Sequence, residues 1–150
     1  MRAMLYLEDV KPGQLFITGT HPLTEDEIKA FARDYDPQSF HLDPEAARHS
    51  FFGGLAASGW HTAAISMRLQ VESGPPLAGG MIGASVELTW PKPTRPGDVL
   101  RVESQVLEVV PSRSKPDRGF ITLKSQTLNQ KGEVLQIQTS KLLVWRRKAS

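Results

Sequence analysis

The sequence predicts an α+β fold, an antiparallel β-sheet curled around one long central α-helix, and three features point to it. The apolar period changes from helical to two-residue alternation near residue 80. A helix-compatible run over 59–72 precedes that change, and three or four long alternating segments follow it. A lone sheet must bury one face, and wrapping it around the helix, with a short N-terminal strand completing it, achieves this.

Taken in order, Leu15 to Thr18 reads as a brief strand after the turn at Pro12-Gly13. Thr24 opens a helix: its hydroxyl can cap the amide of Glu27, whose carboxylate stands where it can reach back, and Leu23 and Ile28 are spaced for a hydrophobic staple. Ile28, Phe31, Ala32 and Tyr35 form the apolar stripe. Pro37 disfavours a helical Asp36, so the helix should stop near Tyr35, leaving 36–43 as a loop. Asp43 caps one further turn that starts with Pro44. Ser58 caps the long helix, whose stripe reads Trp60, Ala63, Ala64, Met67 and Val71. The breaker at 73–80 joins two halves that both carry core-type sequence, so residues 1–150 read as one domain. Beyond it, Ile82, Ala84, Val86, Leu88 and Trp90 alternate with small and polar residues as a strand with one buried face. Strands over 99–110, 120–128 and 134–145 complete the meander, the last two joined by a hairpin at 129–132. The second sheet face and the free edge need covering, which favours a second copy of the chain.

Composition excludes several classes. Cysteine is absent, which removes disulfides, cysteine nucleophiles and cysteine zinc sites, and suits a reducing, cytoplasmic setting. A net charge of +2, with no basic run except Arg146 to Lys148, gives little support for nucleic-acid binding. No stretch approaches the roughly 20 apolar residues that span a bilayer, and the N-terminus turns acidic too early for a signal peptide. Four histidines at unsuitable spacing make no metal site, and neither a glycine-rich phosphate loop nor a serine nucleophile elbow occurs. His61 is expected to face a strand or a partner chain, His21 and His49 have no matched partner nearby in sequence, and Met4, Met67, Met81 and the aromatics read as core.

One segment gathers catalytic-type groups: Asp34, Asp36, Ser39, His41 and Asp43. A carboxylate and an imidazole in one cleft, here Asp36 and His41, can hold a water between them, one taking its proton and the other delivering a proton to substrate. The plainer readings are that Asp-Pro opens a turn, that Asp43 is a helix cap, and that His41 is a satisfied loop residue. Gly59 is the second candidate. Its amide lies at a helix start, where donors are unpaired and the dipole favours negative charge, so it can polarise a thioester carbonyl. Close packing is the alternative reason for a glycine there. Because alanine suits a helix better, Gly59→Ala is expected to keep the fold.

Residues 31–47 (FARDYDPQSFHLDPEAA), 52–59 (FGGLAASG) and 88–100 (LTWPKPTRPGDVL) together resemble the MaoC-like acyl dehydratases, which include the (R)-specific enoyl-CoA hydratases. The likeness runs from about residue 24 to 145. It implies the hotdog fold, usually dimeric, and an enzyme that adds water across the double bond of a trans-2-enoyl thioester to give a (3R)-hydroxyacyl thioester, or runs the reverse. Fatty acid metabolism is the implied setting. Asp36 and His41 fall on the family's Asp-x-x-x-x-His signature, and Gly59 on its carbonyl-binding glycine. No metal or redox cofactor is implied, and coenzyme A is part of the substrate. Gln38-Ser39 stands where many hydratases have Asn-Pro, and Ser58 where a histidine often precedes the glycine. A hotdog thioesterase and a non-catalytic acyl-binding subunit are the alternatives. Arg68, Lys92, Arg95 and Arg101 are candidates for phosphate contacts, although surface arginines are usually only solvated.

Overall fold

The computed structural model describes residues 2–148. After a 3-10 turn at Leu7–Asp9 come β1 (Leu15–Ile17), β2 (His21–Pro22), α1 (Glu25–Tyr35), α2 (Ser39–Leu42), α3 (Pro44–Arg48), α4 (Gly59–Ser73), β3 (Ile82–Thr89), β4 (Val99–Pro111), β5 (Arg118–Leu128) and β6 (Val134–Trp145). The sheet is antiparallel with order β1-β4-β5-β6-β3, and β2 also pairs with β4. The sheet and α4 together form the hotdog arrangement.

The local chemistry is as the sequence suggests at most junctions. Thr24 accepts the Glu27 amide at 3.2 Å, and Leu23 and Ile28 share one core cluster with Ile65, Leu69, Leu100, Val102 and Leu135. Asp43 caps α3 through the Glu45 amide at 3.0 Å. The β5–β6 hairpin closes on the Asn129 side chain, which accepts the amides of Lys131 and Glu133, each at 3.0 Å. A second cluster of Leu7, Val10, Leu77, Val106, Ile121, Leu123, Leu142 and Val144 fills the other end of the fold. Each fully buried Leu or Ile contributes about 1.5–3 kcal/mol, so the two clusters carry much of the driving force.

Five expectations need correction. The 36–43 segment is not all loop, because Ser39–Leu42 winds into a helical turn. Glu27 does not complete a reciprocal capping box; its carboxylate takes the Thr24 hydroxyl and pairs with His21 at 2.7 Å. The buried face of α4 is His61, Thr62, Ile65, Ser66, Leu69 and Gln70. The stripe of Trp60, Met67 and Val71 lies outside, 61%, 42% and 61% exposed. Fourth, β3 buries neither face, and Val86 is 56% exposed. These last two share a cause: β3 is the edge strand beside the outer face of α4, and no element among the described residues covers either. Met4, Tyr35 and Phe51, read as core, are exposed for want of a neighbouring element.

Candidate active site

Asp36 is the C-cap of α1, its amide bonded to the Ala32 carbonyl. Pro37 turns the chain there, and α2 then carries His41 back so that its Nε2 lies 3.2 Å from Asp36 Oδ2. His41 is buried, and its Nδ1 is 2.6 Å from the Ala56 carbonyl. Because a carbonyl only accepts, Nδ1 must carry the proton. Nε2 then meets the ionised Asp36 in one of two ways: protonated, it donates to Oδ2; unprotonated, it is a second acceptor, and both hydrogens of one water can bridge the pair.

Asp36 is held in its ionised form. Burial alone would raise its pKa. Hydrogen bonding by Gln38 and Ser58, and the charge of His41 when its ring is protonated, outweigh burial, so the carboxyl lies below its ordinary value. The Gln38 side-chain amide donates to Asp36 Oδ1 at 2.6 Å. Ser58, fully buried, caps α4 by accepting the Trp60 amide at 3.3 Å. Of the three positions noted above as departures, Gln38, Ser39 and Ser58, the first and last both act on this carboxylate.

The pair opens into a cleft of about 400 Å³ whose lining includes Phe52, Ser58, Gly59, Trp60, Trp90 and Thr94. Its floor consists of the buried His41, Ala57, Ser58, Thr62 and Thr94, and its rim of the exposed Phe51, Trp60, Trp90 and Lys92. Gly59 is the first residue of α4, so its N–H has no acceptor within the helix. All three sequence-selected residues, Asp36, His41 and Gly59, therefore line one cleft.

Gly59 also has a packing role. A Cβ there would meet the Trp90 indole at 2.7 Å. That indole is tied down by its Nε1–H donating to Gln136 at 3.0 Å and by an edge-on contact with Trp60. The expectation that Gly59→Ala keeps the fold intact rested on helix propensity and had no view of this contact.

Arg95 was a candidate for phosphate and has a different task. Its guanidinium donates to the carbonyls of Gly54 (2.9 Å), Leu55 (3.2 Å) and Phe52. It braces the segment whose Ala56 carbonyl orients His41. Arg68, Lys92 and Arg101 pair with Glu72, Glu133 and Glu103. His61 does not face a strand: it stacks on Phe31 of α1, ring centroids 4.5 Å apart and planes 2° from parallel. The remaining residues missed from sequence, Thr62 and Thr94, bond each other at 2.9 Å in the floor. Their polarity hid them, since nothing local marks a buried hydroxyl.

The fold and this cleft define a hotdog domain with an Asp–His pair at the start of its central helix. The sequence profile of the MaoC like domain matches residues 9–127, and the chain belongs to that family of dehydratases and hydratases. It is 38% identical over 128 residues to the uncharacterised protein YdeM of Bacillus subtilis, covering 83% of this chain and 88% of that one. The crystal structure of a MaoC-like dehydratase from Rhodospirillum rubrum is 61% identical, with a TM-score of 0.95 over 97% of this chain and 99% of that one. The (R)-hydratase PhaJ1 from Pseudomonas aeruginosa shares the fold at 23% identity, with a TM-score of 0.74 over 96% of this chain and 88% of that one.

Proposed function

We propose that this protein adds water across the double bond of a trans-2-enoyl thioester, carried on coenzyme A or an acyl carrier, to give the (3R)-hydroxyacyl thioester, and catalyses the reverse. The observation that supports this most is the 3.2 Å approach of His41 Nε2 to Asp36 Oδ2 on the floor of a cleft that also holds the Gly59 amide. One acceptor of the pair removes a proton from the bridging water as the water oxygen bonds to C3. The π electrons move through C2 into the thioester oxygen, where the Gly59 N–H stabilises the developing charge. C2 then takes a proton back from the pair, so that the elements of water are added and the site is restored. Coenzyme A enters only as part of the substrate, and no metal or redox group has a step in this scheme.

The working form is a homodimer in the cytoplasm, with a second copy over the outer face of α4 and β3. A direct test is incubation with trans-2-enoyl-CoA of four to eight carbons, following loss of enoyl absorbance and release of free thiol together. Loss of absorbance without thiol, with an (R) product, is expected. Thiol release without hydration would replace this reading with that of a thioesterase.

A further inference from the structure

The inner face of α4 carries, beside the apolar Ile65 and Leu69, a row of polar side chains where a helix facing a sheet is normally apolar. Thr62, Ser66 and Gln70, one turn apart, each bond across to the sheet side. Thr62 meets Thr94 at 2.9 Å, Ser66 meets Thr127 at 2.5 Å, and Gln70 reaches Ser125 at 2.8 Å and Ser104 at 3.3 Å. These side chains are all buried.

Only the first of these three rungs lines the cleft. Its hydrogens do not balance. Each threonine hydroxyl carries one proton, and their mutual bond uses one of the two. Among the described residues neither hydroxyl has another partner. In the second rung the Ser66 hydroxyl donates to the Thr62 carbonyl at 2.7 Å, leaving the Thr127 proton for Ser66, so both protons are used. The first rung therefore leaves one donor at the floor, 2% to 3% exposed, with only the cleft to supply its acceptor. A buried donor without an acceptor is costly.

The acceptor it suits is uncharged. A carboxylate here would need a cation, and among the described residues the only basic side chain lining the cleft besides His41 is Lys92, which is exposed and paired with Glu133 at 2.5 Å. Arg95, nearby in sequence, spends its guanidinium on backbone carbonyls. A hydroxyl or carbonyl oxygen needs no counter-charge.

Resting on the enoyl-thioester reading above, we infer that the Thr62–Thr94 hydroxyl pair is a subsite for an uncharged oxygen on the acyl chain, so that the cleft selects hydroxyl- or keto-substituted acyl thioesters over plain hydrocarbon ones.

The test compares binding of saturated thioesters, which cannot be hydrated: butyryl-CoA with 4-hydroxybutyryl-CoA, and hexanoyl-CoA with 5-oxohexanoyl-CoA, by calorimetry. The native protein should favour the oxygenated member of at least one pair by about threefold to tenfold, the effect of one net hydrogen bond. In Thr94→Val and Thr62→Val that ratio should fall toward one, and Thr94→Ser should restore it. Thermal melts of the same preparations identify any variant that does not fold, in which case the other valine variant decides. A ratio of one or below for both pairs in the native protein overturns the inference, as does a preference that survives both valine substitutions. If the binding preference holds but no enoyl thioester is hydrated, the subsite stands and the hydratase reading falls.

Discussion

Trp90 closes over Gly59 so tightly that a single methyl group added to the glycine would sit 2.7 Å from the indole ring. Helix propensity and packing therefore oppose each other at this position. Alanine should gain about 1 kcal/mol as a helix former. Displacing an indole that is bonded to Gln136 should cost about 1–3 kcal/mol, as overpacking typically does. We expect Gly59→Ala to lower the melting temperature and to lower turnover as well, because the same methyl group displaces the thioester oxygen. Pairing it with Trp90→Leu should recover stability without recovering turnover. Full turnover in Gly59→Ala would remove the amide from the catalytic scheme.

Asp36→Asn and His41→Ala should each reduce turnover by about 10²–10⁴-fold. Their losses should not add in the double variant, since the proposed scheme has both act on one water. Asp34, exposed on α1 two residues before Asp36, is the control, and Asp34→Asn should change little. Folded protein with near-native turnover in either dyad variant would exclude the mechanism.

Ser58→Ala separates the two tasks of that hydroxyl. Loss of the helix cap should cost about 1 kcal/mol, read as a lower denaturation midpoint. Loss of a hydroxyl that favours the ionised Asp36 should let the carboxyl pKa rise toward its ordinary value. The acid limb of kcat/KM should then move to higher pH, while turnover above neutrality is largely retained. An acid limb that stays in place would show that Ser58 only caps the helix.

How much of this was legible in the sequence depended on whether the signal was local. The Thr24 cap, the stop at Pro37 and the Asn129 hairpin are each set by a few neighbouring residues, and they fall where the pattern puts them. The spacing of Asp36 and His41 marks them only as a candidate pair, and the likeness to the family signature selects them; the distant Ala56 carbonyl then fixes the His41 ring. The faces of α4 were not legible. Their apolar period is real, but it points outward, while the buried face is satisfied by hydroxyls from β4, β5 and the 91–98 turn. Period alone says that a helix has two faces, not which one the same chain covers. Trp90 and Arg95 were missed as parts of the site for a related reason, since their partners lie 31 to 46 residues away.

His61 should make stability depend on pH. Its ring is buried against Phe31, and its Nδ1 has no hydrogen-bond partner among the described residues. Burial lowers its pKa; His21 adds to this, and Glu27 opposes it. Below about pH 6.5 the unfolded chain takes up a proton that the folded chain resists. The unfolded state thus binds more protons, and stability falls as pH drops through this window. In His61→Phe, which keeps the stack, the denaturation midpoint should fall less between pH 7.5 and pH 5 than in the native protein. An identical fall in both would mean that His61 takes no part.

The two ends of the sheet differ in a way that determines where a second copy should sit. β1 is three residues long and makes a poor template for pairing, whereas β3 is eight residues long and pairs only with β6 among the described residues. Beside β3 runs an apolar groove of about 350 Å³ lined by Ala63, Met67, Val86, Leu88 and Leu142, continuous with the outward face of α4. Long, uncharged edges of this kind are normally blunted by lysine, proline or a covering element. The lone Glu87 and the bulge between Gly83 and Ser85 do little to blunt this one. Light scattering at micromolar concentration should therefore give twice the chain mass. Val86→Lys should shift it to the monomer, because a twofold interface brings both copies of the charge into it. Leu15→Lys, a comparable exposed position on β1, should leave the dimer intact. A native protein that scatters as a monomer, or a dimer lost through Leu15→Lys and not through Val86→Lys, would place the interface elsewhere or remove it.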